Sequence, residues 1–174
     1  SAYKESRFLR DCIVSLLPQR EYSEIILCTS TPNDYISGLA EQYQIPLYIR
    51  DGKSDIQDDW NFACSKVQTK WVTITHQDDI YEPDYAKEIT KAIQKRPEAI
   101  MAFTDYRPMK NGKATIDLNC IIKRVIRLPM KGKNMSGSRR WKRRILSFGN
   151  SINCPSCAYN LSLFSGNVFT SELR

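Results

Sequence analysis

Long apolar stretches are missing from this sequence. No run approaches the roughly 18 residues that a bilayer span requires, and the opening "SAYKESRFLRDC" lacks the charged-then-apolar layout of a signal peptide. Both gaps predict a cytoplasmic protein. Histidine is nearly absent too: His76 is the single one, so a histidine-rich metal centre is excluded. There is no internal repeat and no low-complexity linker. Acidic residues fail in one place only. Residues 118–174 hold 11 Lys/Arg against one acid, Glu172, whereas residues 1–117 hold 15 against 18, so a body of charge −3 precedes a tail of charge +10.

With 174 residues, 41% hydrophobic and 26% charged, the chain has ordinary globular composition and room for one domain with a real core. Six cysteines would suit a disulfide framework only in a short secreted chain. Here Cys12, Cys28 and Cys64 fall inside helical or strand patterns and read as small reduced core residues. Cys154-Pro155-Ser156-Cys157 has the spacing of a redox dithiol. That chemistry needs the first thiol exposed at a helix N-terminus after a strand, and zinc needs four ligands where two thiols stand, so neither reading is favoured.

Periodicity supplies the organisation. Phe8, Leu9, Cys12, Ile13, Leu16 and Leu17 are spaced as a helix, with Ser6 as a cap and Pro18 as a stop. "EIILC" (24–28) reads as a buried strand. Asn33 caps a second helix, "LYI" (47–49) is a short strand, and Trp60, Cys64 and Val67 share a face of a helix around 57–68. "WVTIT" (71–75) is the next strand, a helix begins at Pro83, and "AIMAFT" (99–104) closes the series. Such alternation predicts an α/β fold, a mostly parallel sheet flanked by helices. Ligands of these sheets sit beyond the carboxyl ends of the strands. Thr29-Ser30-Thr31 and His76-Gln77-Asp78-Asp79 occupy two such ends. Further on, Asn111-Gly112 marks a hairpin, and "SRRWKRRILSF" sets Trp141, Ile145 and Phe148 on one face of a basic helix.

Adjacent carboxylates at a strand end suit a hard divalent cation, which is commonly held by one or two of them together with phosphate oxygens. The plainer alternative is that Asp79 or a neighbour caps the helix that follows. At these residues the chain resembles the glycosyltransferase family 2 enzymes of GT-A, Rossmann-like fold. The resemblance rests on "AYKESRFLRDCIVSLLPQ", "SEIILCTSTPND", "DDWNFACSKVQTKWVTITHQDDIYEPDY" and "AIMAFTDYRPMKNGK", which span most of residues 2–113. It implies a nucleotide-diphosphate-sugar donor, a saccharide or lipid-linked acceptor, and Mg²⁺ or Mn²⁺ bridging the diphosphate and Asp78, with weaker metal roles for His76 and Asp79. Residues 1–107 would form the nucleotide-sugar-binding half and 108–174 the acceptor-side half of one domain.

Residue by residue, the resemblance places Tyr3 at the nucleotide wall and Thr29, Ser30, Asp59, Asn61 and His76 on the donor side; Asn150, Asn153 and Ser156 fall on the acceptor side. Asp58 or Asp59 could equally be a helix cap. Four positions depart from the pattern. His76 stands where the first aspartate of Asp-x-Asp belongs, Thr29 and Ser30 where acidic residues are usual, and Trp60 where arginine is frequent. Relative to the family the chain is cut at both ends, so an inverting enzyme's general base is expected beyond Arg174, with Glu172 unsupported in that role. The basic tail suits an anionic membrane surface or an anionic acceptor. A non-catalytic anion- or nucleic-acid-binding domain is the alternative, although aromatic interleaving of an RNA-binding kind is lacking.

Overall fold

The computed structural model describes residues 1–110, 112–131, 137–149 and 151–170. Two compact units make up the chain: Ser1–Ala102 together with the described residues from Cys157 onward, and Phe103–Ser156.

The first unit is α/β. Strand β1 (Leu27–Thr29) pairs in parallel with β2 (Leu47–Ile49), Cys28 opposite Tyr48. Alternation along β1 sends consecutive side chains to opposite faces of the sheet. Leu27 packs with Leu9 and Ile13 of α1 (Leu9–Leu16) and with Ile36, Leu39 and Ala40 of α2 (Asp34–Gln42). Cys28 joins a second core with Ala63 and Cys64 of α3 (Ile56–Lys66) and with Val72 and Ile74. Helices therefore cover both faces, as the alternation predicts.

Strand β3 (Trp71–Thr73) belongs to a separate sheet with β4 (Met101–Phe103) and β7 (Cys157–Asn160), in the order β3-β7-β4. The alternation did not foresee β7, which runs antiparallel to β3 with Val72 opposite Tyr159. A cavity of about 380 Å³ is lined by residues of β1 and β3 together with α4 (Tyr85–Lys95), Cys28, Trp71, Thr73 and Ile89 among them. Its wall is mostly apolar, with Gln19, Glu24 and Lys70 among the polar residues, and neither His76 nor the aspartates after β3 line it.

Local sequence explains most helix ends. Asn33 caps α2, its Oδ1 accepting from the Ile36 N–H at 2.9 Å. Leu9 opens α1 after Phe8, and the Ser6 hydroxyl accepts only a long bond from Phe8, 3.4 Å. Pro18 turns α1 into a 3₁₀ turn at Leu17–Glu21. For α3 the cap is Asp55, which accepts from Gln57 and Asp58; Asp58 and Asp59 are first-turn residues and not caps. Helix α4 spans Tyr85–Lys95, two residues later than the expected start at Pro83, and its N-cap Asp84 makes no side-chain bond. Buried Gln19 serves instead: its Oε1 accepts from the Ala86 N–H at 2.8 Å while its Nε2 donates to the Glu82 carbonyl at 2.9 Å. A far residue has taken over a cap's work. Among the described residues neither Asp78 nor Asp79 stands at a helix cap position.

In the second unit, the hairpin expected at Asn111-Gly112 pairs β5 (Met109–Lys110) with β6 (Lys113–Ala114). Gly112 takes φ +73°, open to glycine at no steric cost; Asn111 lies outside the described residues. Helices α5 (Leu118–Arg127) and α6 (Arg139–Ser147) follow. On α6 the expected apolar face is only partly used: Ile145 is buried, whereas Trp141 and Phe148 are exposed.

Candidate metal and nucleotide site

Strand β3 ends at Thr73, and the loop after it turns at once, the Asp79 N–H donating to the His76 carbonyl at 3.3 Å. That turn gathers one imidazole nitrogen and one oxygen each from Asp78 and Asp79, all within 4.8 Å of one another. Asp78 is exposed and Asp79 half-buried. The loop is anchored from below, where the Cys12 thiol donates to the His76 carbonyl at 3.2 Å. Burial pushes that thiol up to about 12, so it stays protonated and serves as a donor.

Burial, with the neighbouring Asp78 charge adding to it, raises the Asp79 carboxyl to about 6. Burial also lowers His76 below its ordinary value, so the ring is neutral at pH 7 and can offer a lone pair. Its Nδ1 lies 3.8 Å from Asp79 Oδ2, while Nε2 is buried without a hydrogen-bond partner among the described residues. Two carboxylates and a neutral imidazole at this spacing fit a divalent cation, the oxygens suiting Mg²⁺ or Mn²⁺ and the nitrogen favouring Mn²⁺ of the two.

Two of the departures from the family pattern turn out to be one feature. Trp60, on α3, stacks on the His76 ring with centroids 5.1 Å apart and planes at 28°. Phe169 meets the same indole edge-on at 5.0 Å, and Tyr159 meets Phe169 likewise at 5.3 Å. Asn61 fixes this group, its Nδ2 donating to the Phe169 carbonyl at 2.8 Å and its Oδ1 accepting the Phe169 N–H at 3.1 Å. Both ends of the Asn61 amide are thereby given to backbone. The imidazole rests on an aromatic platform that an arginine at position 60 would not supply.

The ends of β1 and β2 meet at Asp59. Its carboxylate accepts from Arg50 Nε at 2.7 Å, Ser30 Oγ at 2.8 Å and Ser54 Oγ at 3.0 Å. Arg50 also donates to the carbonyls of Asp51 and Lys53, so the acid closes the loop after β2. Thr29 is buried, and its hydroxyl accepts the Thr31 N–H at 3.0 Å. Tyr3 is exposed. Gln77 grips its backbone twice, accepting from the Tyr3 N–H at 2.9 Å and donating to its carbonyl at 3.2 Å. Lys4, next in line, donates its N–H to Thr31 Oγ1 at 2.6 Å and takes φ +52°. That left-handed conformation costs a non-glycine residue about 1–2 kcal/mol, and the bonds from both strand-end loops offset it.

Of the residues expected in the site, then, the structure brings together His76, Asp78 and Asp79 in one cluster and Ser30 with Asp59 in another. Asn153 and Ser156 belong to the second unit, where the buried Ser156 hydroxyl donates to the Asn153 carbonyl at 2.7 Å. Asn150 and Glu172 lie outside the described residues. None of the six cysteines is in a disulfide; Cys154 is half-buried in a three-residue 3₁₀ turn that precedes β7, not exposed at a helix N-terminus after a strand, which is the placement the redox reading requires. Sequence reading missed Gln77, Arg50, Phe169 and the part played by Trp60; only Trp60 carried a signal, as a departure from pattern.

The family described as Glycosyl transferase family 2 matches residues 1–160. Among individually curated proteins, none matches the chain significantly.

Proposed function

Because the chain belongs to glycosyl transferase family 2, we propose that it moves a sugar from a nucleotide-diphosphate-sugar donor to a saccharide or lipid-linked acceptor, with inversion and with Mg²⁺ or Mn²⁺. The observation that carries this reading is the His76, Asp78 and Asp79 cluster at the carboxyl end of β3, where ligands of open α/β sheets gather.

Asp78, the exposed member, faces solvent and is the residue we assign to the cation and the diphosphate. When bound, the cation would stabilise negative charge on the departing nucleoside diphosphate. Asp79 and His76 complete the donor set; the stack on Trp60 holds the imidazole plane and excludes water from one of its faces. Tyr3, Thr29, Ser30 and Asp59 we assign to the nucleotide, with a difference of kind. Asp59 is already satisfied by three donors, so it shapes the loop that would meet the base, and Asn61 acts through Phe169. An inverting transfer also needs a carboxylate within reach of the acceptor hydroxyl, for which no described residue is assigned.

Calorimetry with a panel of nucleotide-diphosphate-sugars, with and without Mn²⁺, tests the reading. Metal-dependent binding that disappears in Asp78→Ala supports it. Metal-independent binding to nucleic acid with a steep salt slope would instead support a non-catalytic anion-binding domain, the alternative that the basic second unit favours.

A further inference from the structure

Helix α5 is amphipathic and faces the wrong way. Leu118, Ile121, Ile122, Val125 and the following Leu128 recur at helical spacing and form one stripe. An ordinary surface helix turns such a stripe to the core and its charges to water. Here Leu118 is 72% exposed and Val125 58%, with Ile121, Ile122 and Leu128 near half exposed. The opposite face is the buried one. Arg127, only 6% exposed, donates to Asp105 Oδ1, and Arg124 Nε stands 2.6 Å from Asp105 Oδ2 as an ion pair. Lys123 and Arg127 lie over the Tyr106 ring, and the buried Cys120 thiol donates to the Tyr106 carbonyl. Asp105 and Tyr106 thus pin the cationic side of α5 inward and hold five aliphatic side chains in water.

Its neighbour in the same unit adds the charge. In α6, Arg139, Arg140, Lys142, Arg143 and Arg144 are all exposed, and so are Trp141, Leu146 and Phe148. Between Asp117 and the end of the described residues there is no acidic side chain to offset them.

From this arrangement we propose that the Phe103–Ser156 unit docks on an anionic lipid surface, the α5 stripe entering the acyl boundary and the α6 cations meeting headgroup phosphates. An outward aliphatic stripe, cations and an exposed tryptophan are the parts that interfacial helices use. A nucleic acid would match the cations and leave the stripe unexplained. A second copy of the chain would cover the stripe and bring two strongly basic units together. Only an anionic interface answers both observations. The inference goes beyond the transferase reading and does not depend on it.

The test is sedimentation of the whole chain with vesicles of phosphatidylcholine alone or with 30–40% phosphatidylglycerol (roughly the anionic fraction that gives a strong surface potential). Binding is expected to the anionic vesicles and to weaken with salt. Ile121→Ser/Ile122→Ser/Val125→Ser should lower it by at least about a hundredfold, with circular dichroism unchanged because the three side chains are exposed. Arg139→Ser/Arg140→Ser/Arg143→Ser should lower it by about fivefold per charge. Quenching of Trp141 by spin-labelled lipid, lost in Trp141→Phe, gives a second readout. Equal affinity for neutral vesicles, no vesicle binding, or a dimer in light scattering that the α5 variant abolishes would each overturn the proposal.

Discussion

At the end of β3 two carboxylates and an imidazole crowd within 4.8 Å, and among the described residues no lysine or arginine pairs with either acid. Around Asp105 the ratio is reversed, with two arginines sharing one carboxylate and a further run of exposed cations on α6. Among the described residues the first place holds negative charge without a lysine or arginine partner, and the second holds more positive charge than there are acids to pair it. Each imbalance names the sign of what it should bind. We read the first as a place for a small cation with the anion it carries and the second as one for an extended anionic surface.

The sharpest way to break this contrast is to remove the unpaired acid. Asp78→Ala is expected to cost at least about a hundredfold in Mn²⁺-dependent donor binding while leaving thermal unfolding nearly unchanged, since the residue is exposed; calorimetry beside a melting curve checks both halves. Asp105→Asn should do the opposite. It leaves the buried Arg127 without its carboxylate and should destabilise by about 3 kcal/mol, read in denaturant titrations, with donor binding at the β3 cluster retained.

A finer probe uses the fact that the chain has one histidine. Its ring resonance should titrate below the ordinary histidine value because burial opposes the charged form. Trp60→Ala, by opening the stacked face, should move it upward, and Mn²⁺ should broaden the resonance selectively in the wild type. An unbroadened ring would remove His76 from the cation's ligands and leave the aspartates.

The smallest expected effect is in the pH dependence, where the two regions have opposite signs. Folding raises Asp79 to about 6 from an ordinary carboxylate value near 4. Its contribution to stability is therefore full below about 4, declines as the pH rises and is gone above about 6. Burial opposes the charge of Asp105, but its hydrogen bonds from the Tyr106 backbone and Arg127 outweigh that and lower its pKa. Its contribution is present above the unfolded value and is lost as the pH falls through the folded one. Asp79→Asn should flatten the first slope and Asp105→Asn the second, each followed by unfolding midpoints across the acid range.

How far the sequence anticipates this structure depends on the reach of the interaction concerned. Leu47–Ile49, the Asn33 cap and the hairpin glycine are set by neighbours within a few positions, and all three are legible. The cap of α4 comes from Gln19, 67 positions before Ala86, so no local pattern could announce it. The four residues of β7 follow a 3₁₀ turn and take their direction from β3 and β4. The grouping of His76, Asp78 and Asp79 is legible because the three lie within one turn. Its aromatic support was not, since Trp60 and Phe169 meet only in space. For α5 the spacing of Leu118, Ile121, Ile122 and Val125 would indicate a helix, but only the Asp105 ion pairs reveal which face turns out.

The clasp of Asn61 on Phe169 reaches further than the aromatic stack. Phe169 lies outside any helix or strand, where a backbone amide would ordinarily exchange its hydrogen with solvent in step with local fraying. Because that amide is held by a side chain rooted in α3, its exchange should instead keep pace with the opening of α3 itself. A slowly exchanging amide in an irregular segment would then report, from one residue, whether the floor beneath His76 is intact.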